Sequence, residues 1–286
     1  MIVSTLEQVQ IYLPSINFKV DIDRLTDFLD RAEQWLTEHI IGTDIREALD
    51  AAIPEGQADP HAEIRKICSR AICEFAYLTV SAEMDLQLSE AGFVVQENNG
   101  MVPASQQRTE RLVSSLNLRL NMDCDELVNY LLAHSKANAS PYHAWRETDQ
   151  FKYLTKAFLP TRMQLSRHLT YGSNIGNWQD YFNGIELMTK GMELMAAYYV
   201  SLAEIIRLRG LYRAGTANEV QLAAIGMLQD VAAATFFKDA KAAREASIRA
   251  RAIMLETPSD FPEFEARECM PLSDVHFNEG HIVDTM

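Results

Sequence analysis

Apolar residues recur along most of this chain at intervals of three and four, the spacing that gathers them on one face of an α-helix. Ser4-Thr5-Leu6-Glu7 reads as a capping box opening a short helix through Tyr12-Leu13, which Pro14 closes. Asp21 is the expected cap of the next helix. Its apolar face carries Ile22, Leu25, Phe28, Leu29, Ala32, Trp35 and Leu36, opposite Asp23, Arg24, Asp27, Asp30, Arg31 and Glu33, and Gly42 ends it. Asp59-Pro60 supplies an N-cap with proline at the first helical position, and a helix is predicted from His61 toward Leu88. A longer one follows over Gln106–Leu132, with a break predicted near Asn121–Asp123.

The period changes between those two helices. Gly92 breaks the first, Phe93-Val94-Val95 predicts a short strand, and Asn99-Gly100 has the residues of a tight hairpin turn. Met101-Val102 returns, and Pro103, which cannot donate to a ladder, stops the second strand. Ser105 reads as the next N-cap. Two short strands need something to pack on. Phe93, Val95, Met101 and Val102 therefore either cover their own domain or reach to a neighbouring molecule.

His134–Ser140 is small and polar and is the best linker in the chain. Beyond it, Trp178–Arg209 is strongly helical in pattern, and Thr216-Ala217-Asn218-Glu219 reads as a capping box for a helix that can run to Leu255. Two short segments echo the first half. His39–Ile45 resembles His168–Ile175, and Ala76–Glu83 resembles Ala197–Glu204. The expectation is a mainly α chain of two tandem helical-bundle units, the product of a duplication. Unit one spans 1–135 and carries the hairpin at 85–105, unit two spans 141–256, and an acidic extended tail occupies 257–286.

Composition narrows the chemistry. The chain has 286 residues, 48% of them hydrophobic, and a net charge of −14. That balance argues against general nucleic-acid binding, which needs Lys and Arg to displace counterions. No basic leader followed by an apolar core is visible at the N-terminus, and Gln229 and Asp230 interrupt the most apolar run, so no membrane span is expected. The four cysteines, Cys68, Cys73, Cys124 and Cys269, lack metal spacing and read as reduced thiols, which suits a cytoplasmic site of synthesis. The histidines form no HExxH or carboxylate-paired set, and neither phosphate-cradling glycine loops nor GxSxG occur. No catalytic residue, metal ligand or cofactor site is assigned, and the chain is expected not to be an enzyme. Lys238, Lys241 and Arg244 form a basic stripe, followed by Arg249 and Arg251. It is either a solvated helix face or a surface meeting acidic residues of another molecule. The tail's scattered apolar residues, among them Phe261, Phe264 and Phe277, are candidates for ordering on a partner.

Leu88–Val95, an Asn-rich turn and Val102-Pro103-Ala104-Ser105-Gln106-Gln107-Arg108 resemble a family of uncharacterised proteins encoded in prophages of Bacteroides and its relatives. The order of Ser4–Leu13, Asp21–Gly42 and His61–Leu88 also resembles the head–tail connector (adaptor) proteins of long-tailed double-stranded DNA phages. That resemblance implies a ring-forming protein that docks under the portal and extends the DNA channel. By position, a protruding Gly92–Val102 and a C-terminal Phe261–Met286 would contact the portal and neighbouring copies. It implies a homo-oligomer, other phage structural proteins as partners, DNA passing without specific binding, and a location in the bacterial cytoplasm during assembly and then in the virion. Familiar adaptors have one helical unit where two are expected here. A cytoplasmic helical scaffold or partner-binding module, using the same hairpin and tail, is the alternative.

Overall fold

Helices build both compact units of the computed structural model, Met1–Phe151 and Lys152–Met286. The structure describes residues 1–13, 23–51, 53, 57–84, 87–89, 92–94, 106–168 and 175–264. The mainly helical reading of the sequence holds.

In the first unit, α1 (Leu6–Tyr12) is capped by Thr5, one residue later than expected: Thr5 Oγ1 accepts from Gln8 N, and the Gln8 side chain accepts from Thr5 N. The apolar stripe of α2 (Asp23–Leu36) buries Leu25, Leu29, Ala32 and Leu36. A π-helical turn, Thr37–Ile41, leads into α3 (Gly42–Asp50) at Gly42, whose φ of 76° favours glycine. Asp59 accepts from His61 N at 2.8 Å and starts α4 (Ala62–Met84), which packs against α2 and α5 (Gln106–His134). The predicted break at Asn121–Asp123 is absent, because the Asn121 and Asp123 side chains are buried and Asp123 is ion-paired to Arg70.

The hairpin drawn from the sequence, Phe93–Val95 against Met101–Val102 around Asn99-Gly100, is not the pairing found. The helix ends at Met84, earlier than expected, and leaves Gln87–Ser89 (β1) extended to pair antiparallel with Gly92–Val94 (β2), Leu88 opposite Phe93. Val95, Asn99, Gly100, Met101 and Val102 lie outside the described residues. The polar stretch at 134–140 is not a boundary either. Ser135 is buried, its Oγ accepts from Arg146 Nε at 3.1 Å, and its carbonyl lies 3.1 Å from His143 Nδ1. Trp145, 1% exposed, donates from Nε1 to the Ile40 carbonyl at 2.7 Å. The segment from 141 to 151 therefore belongs to the first unit, and α6 (Asp149–Leu154) crosses the division.

In the second unit, α7 (Arg162–Arg167) is followed by α8 (Trp178–Tyr199), α9 (Leu202–Ala214), α10 (Glu219–Phe236) and α11 (Ala240–Glu256), and these last four surround a core that includes Met192, Met195, Leu228, Val231, Ala250 and Met254. The run predicted over Trp178–Arg209 divides at Ser201, whose extended backbone caps α9. The helix predicted to reach Leu255 divides at Lys238, where φ is +59°, and Asp239 caps α11. The capping box of α10 sits on Asn218 and Gln221 rather than on Thr216. The duplication is not supported: residues 76–83 lie within α4, whereas residues 197–204 cross from α8 into α9.

Gly191 of α8 lies so close to Thr235 of α10 that a Cβ would collide with the buried threonine side chain, whereas Gly210 of α9 has open space. Gly191→Ala is expected to destabilise the fold by about 1–3 kcal/mol despite its better helix propensity, and Gly210→Ala to stabilise it by up to about 1 kcal/mol. Denaturant unfolding of the two variants reads both signs.

Candidate functional site

The most concentrated set of charges buried in the first unit lies between α4 and α5. Glu74 sits on the apolar stripe of α4 with Ile67, Ala71 and Leu78, and is 0% exposed. Arg119 of α5 meets Glu74 Oε1 from Nε at 2.7 Å and donates from Nη2 to the Tyr12 carbonyl at 3.0 Å, tying the end of α1 to the same seam. Arg70 of α4 bridges Asp123 Oδ1 at 2.8 Å and Glu126 Oε2 at 2.5 Å on α5. Burial, with Asp123 beside it, pushes the Glu74 carboxyl up to about 7, and burial also raises Asp123 against the pull of Arg70. This arrangement can hold a proton and clamp three helices.

Other reactive groups are muted. Burial pushes the Cys73 thiol up to about 12 and raises Cys68 and Cys124 as well, so these free thiols are not nucleophiles. Cys269 lies outside the described residues. A small, mainly apolar cleft lined by Ile41, Ile45, Leu49 and Trp145 holds His61, whose Nδ1 is 2.9 Å from the Tyr142 hydroxyl. Burial raises the Tyr142 phenol, so it stays a neutral hydrogen-bonding group. Among the described residues there is no cluster of His, Cys, Asp and Glu able to hold a metal ion, and no helix is long and apolar enough to cross a membrane.

The residues singled out from the sequence fall in three places. Phe93 sits in the β1–β2 ladder, and Val95, Asn99, Gly100, Met101, Val102 and Phe277 lie outside the described residues. Lys238 and Lys241 are exposed at the α10–α11 turn and the start of α11, and Arg244 is half-buried one turn on. Phe261 and Phe264 are packed on the core of their own unit, Phe261 at 1% exposure. The cause is Glu204 of α9, fully buried. It pairs with Arg207 at 2.8 Å and accepts from Glu263 N at 2.9 Å, while Ser201 Oγ donates to the Glu263 carbonyl at 2.6 Å. The stretch expected to open the extended tail is thus fastened through Phe264.

The seam escaped the sequence reading, although a signal for it is present. Glu74 and Asp123 fall where the helical period demands an apolar residue. Gln229 and Asp230 carry a similar signal inside apolar α10: Gln229 donates to the Phe158 carbonyl at 2.7 Å, and Asp230 meets His168 Nδ1 at 2.6 Å.

Residues 22–155, less than half the chain, match a family of unknown function, DUF6712. The match runs from the start of α2 to the end of α6. No curated protein and no solved structure matches the chain.

Two outcomes follow. A carboxyl whose folded-state pKa is raised holds its proton more tightly in the folded chain. Its contribution is fullest below the ordinary carboxylate range and is lost as pH rises through about 7. Glu74→Gln removes that titration. It should flatten the fall in unfolding free energy between about pH 5 and about pH 8 by on the order of 2 kcal/mol, read by denaturant titrations across that range. Phe261→Ala should destabilise the second unit by about 3–5 kcal/mol, the cost of a large core truncation, as measured by thermal unfolding.

Proposed function

We propose that this chain is a phage or prophage structural protein of the head–tail connector or adaptor type, which assembles with copies of itself and with other virion proteins and carries out no chemistry. The observation that carries this reading is the apolar surface left on the long helices of the second unit. Leu187, Leu194 and Tyr198 are 38%, 43% and 40% exposed along one face of α8, and Ile248 and Leu255 are 39% and 49% exposed along α11. Large apolar side chains left exposed along one helix face are the kind of surface on which other proteins bind. Leu118 and Met122 on α5, both 56% exposed, give the first unit an apolar strip as well.

Two further features support it. The buried polar groups are spent on fastening helices, as the Glu74–Arg119 and Glu204–Arg207 pairs do. A net charge of −14 suits a wall past which DNA must slide without sticking, since negative surface repels phosphate. In this reading the protein is made in the bacterial cytoplasm and ends in the particle, and it needs no cofactor.

Mass spectrometry of particles induced from the source strain tests it. The expected outcome is this chain at a ring's worth of copies, far below the capsid protein. Intact particles that contain other minor virion proteins and none of this chain would overturn the proposal and favour a cytoplasmic scaffold that binds its partner through the same surfaces.

A further inference from the structure

A chain with net charge −14 repels its own copies at long range, so self-association needs a local surface of the opposite sign. The exposed side of α11 has one. Lys238 at the preceding turn, Lys241 and Arg249 are exposed, and Ile248 and Leu255 form the apolar strip between and beyond them. Glu245 and Glu256 are exposed acids on the same side, and the half-buried Arg244 and Arg251 keep the helix net positive.

The chain also carries the complement. On α2 and the π-helical turn after it, Asp23, Asp27, Asp30 and Glu38 are exposed at intervals that place them on one ridge, with Gln34 between the last two donating to Glu38 at 2.7 Å. Arg31, at the edge of the ridge, has its guanidinium 5.7 Å from the centre of the Phe28 ring. At 1.5 Å per residue, the acidic ridge from Asp23 to Glu38 is about 22 Å long and the α11 face from Lys241 to Leu255 about 21 Å. Two helical faces of matching length and opposite sign, one of them with an apolar strip, can dock side by side.

We infer that α11 of one copy docks on the acidic ridge of α2 in a second copy, with Lys241 and Arg249 meeting Asp27 and Asp30. This deepens the proposed function and rests on its claim of self-assembly. The two faces differ, so the contact is heterologous: it repeats from copy to copy and closes a ring or grows a filament. Nucleic acid is the poorer occupant, because binding it needs many cations to displace counterions and the whole chain carries a net charge of −14.

The test uses two charge-reversed forms of the full chain in sedimentation velocity at low and high salt. Wild type should associate at low salt and dissociate as salt screens the contact. Lys241→Glu with Arg249→Glu, and separately Asp27→Lys with Asp30→Lys, should each weaken association about tenfold or more, since several exposed pairs become repulsive together. Mixing the two variants should restore it, because every contact in the alternating assembly is again between opposite charges. That restoration also shows that both variants are folded. A wild type that stays monomeric at low salt, reversals that leave association unchanged, or a mixture that fails to recover would each overturn the inference. Absence of the chain from particles, with charge-dependent association intact, would instead remove the phage reading and leave this contact standing.

Discussion

Carboxylates taken out of water must be met by a cation and by hydrogen-bond donors, and the strong placements in this chain follow from that need. Four buried acids illustrate it. Glu33 takes Arg46 at 2.8 Å and the Ile2 N–H at 2.6 Å. Glu74 takes Arg119, which also reaches the end of α1. Asp123 takes Arg70 and holds α5 to α4. Glu204 takes Arg207 and the Glu263 N–H. In three of the four, a backbone group from a segment that packing alone would hold loosely is drawn into the ion pair or its arginine. The pairs therefore decide where short segments lie against long helices, while the apolar stripes decide which helices meet.

Seen this way, what the sequence discloses has a physical boundary. Helical periods are a property of one element and were legible in α2, α4, α5 and α10. Caps were legible to within a residue or two, because Thr5, Asp59 and Asn218 act on amides three residues away or closer. Helix breaks were not. Ser201 and Asp239 each cap the following helix on an amide three residues on, but inside a continuous apolar period neither residue by itself marks a stop. Ser201 is held by Glu263, sixty-two residues on, and the left-handed Lys238 lies between two helices that pack tightly on each other. The absent break in α5 has the same origin in reverse, since Asp123 looks like a helix stop until its partner on α4 is known.

The interface candidates divide along the same line. Phe261 looked like a sticky tail residue because its binding pocket is made by residues far away in sequence. Of the basic stripe, Lys238 and Lys241 are exposed and Arg244 is half-buried, because exposure on a helix follows from its period and from what packs beside it. The repeat was read from short similarities, and these fall in different structural settings: inside a helix in one case and across a helix junction in the other. The hairpin was placed on its turn residues, while the observed ladder uses the residues released by the early end of α4.

What emerges is a helical chain whose interior is pinned by ion pairs and whose long helices leave apolar and charged residues exposed, the surfaces on which the proposed self-assembly rests. Electron cryomicroscopy of the purified chain at low ionic strength tests that picture most directly. Closed rings or regular filaments built from one repeated contact are the predicted result. A field of isolated single chains at concentrations where the protein is well folded would contradict it.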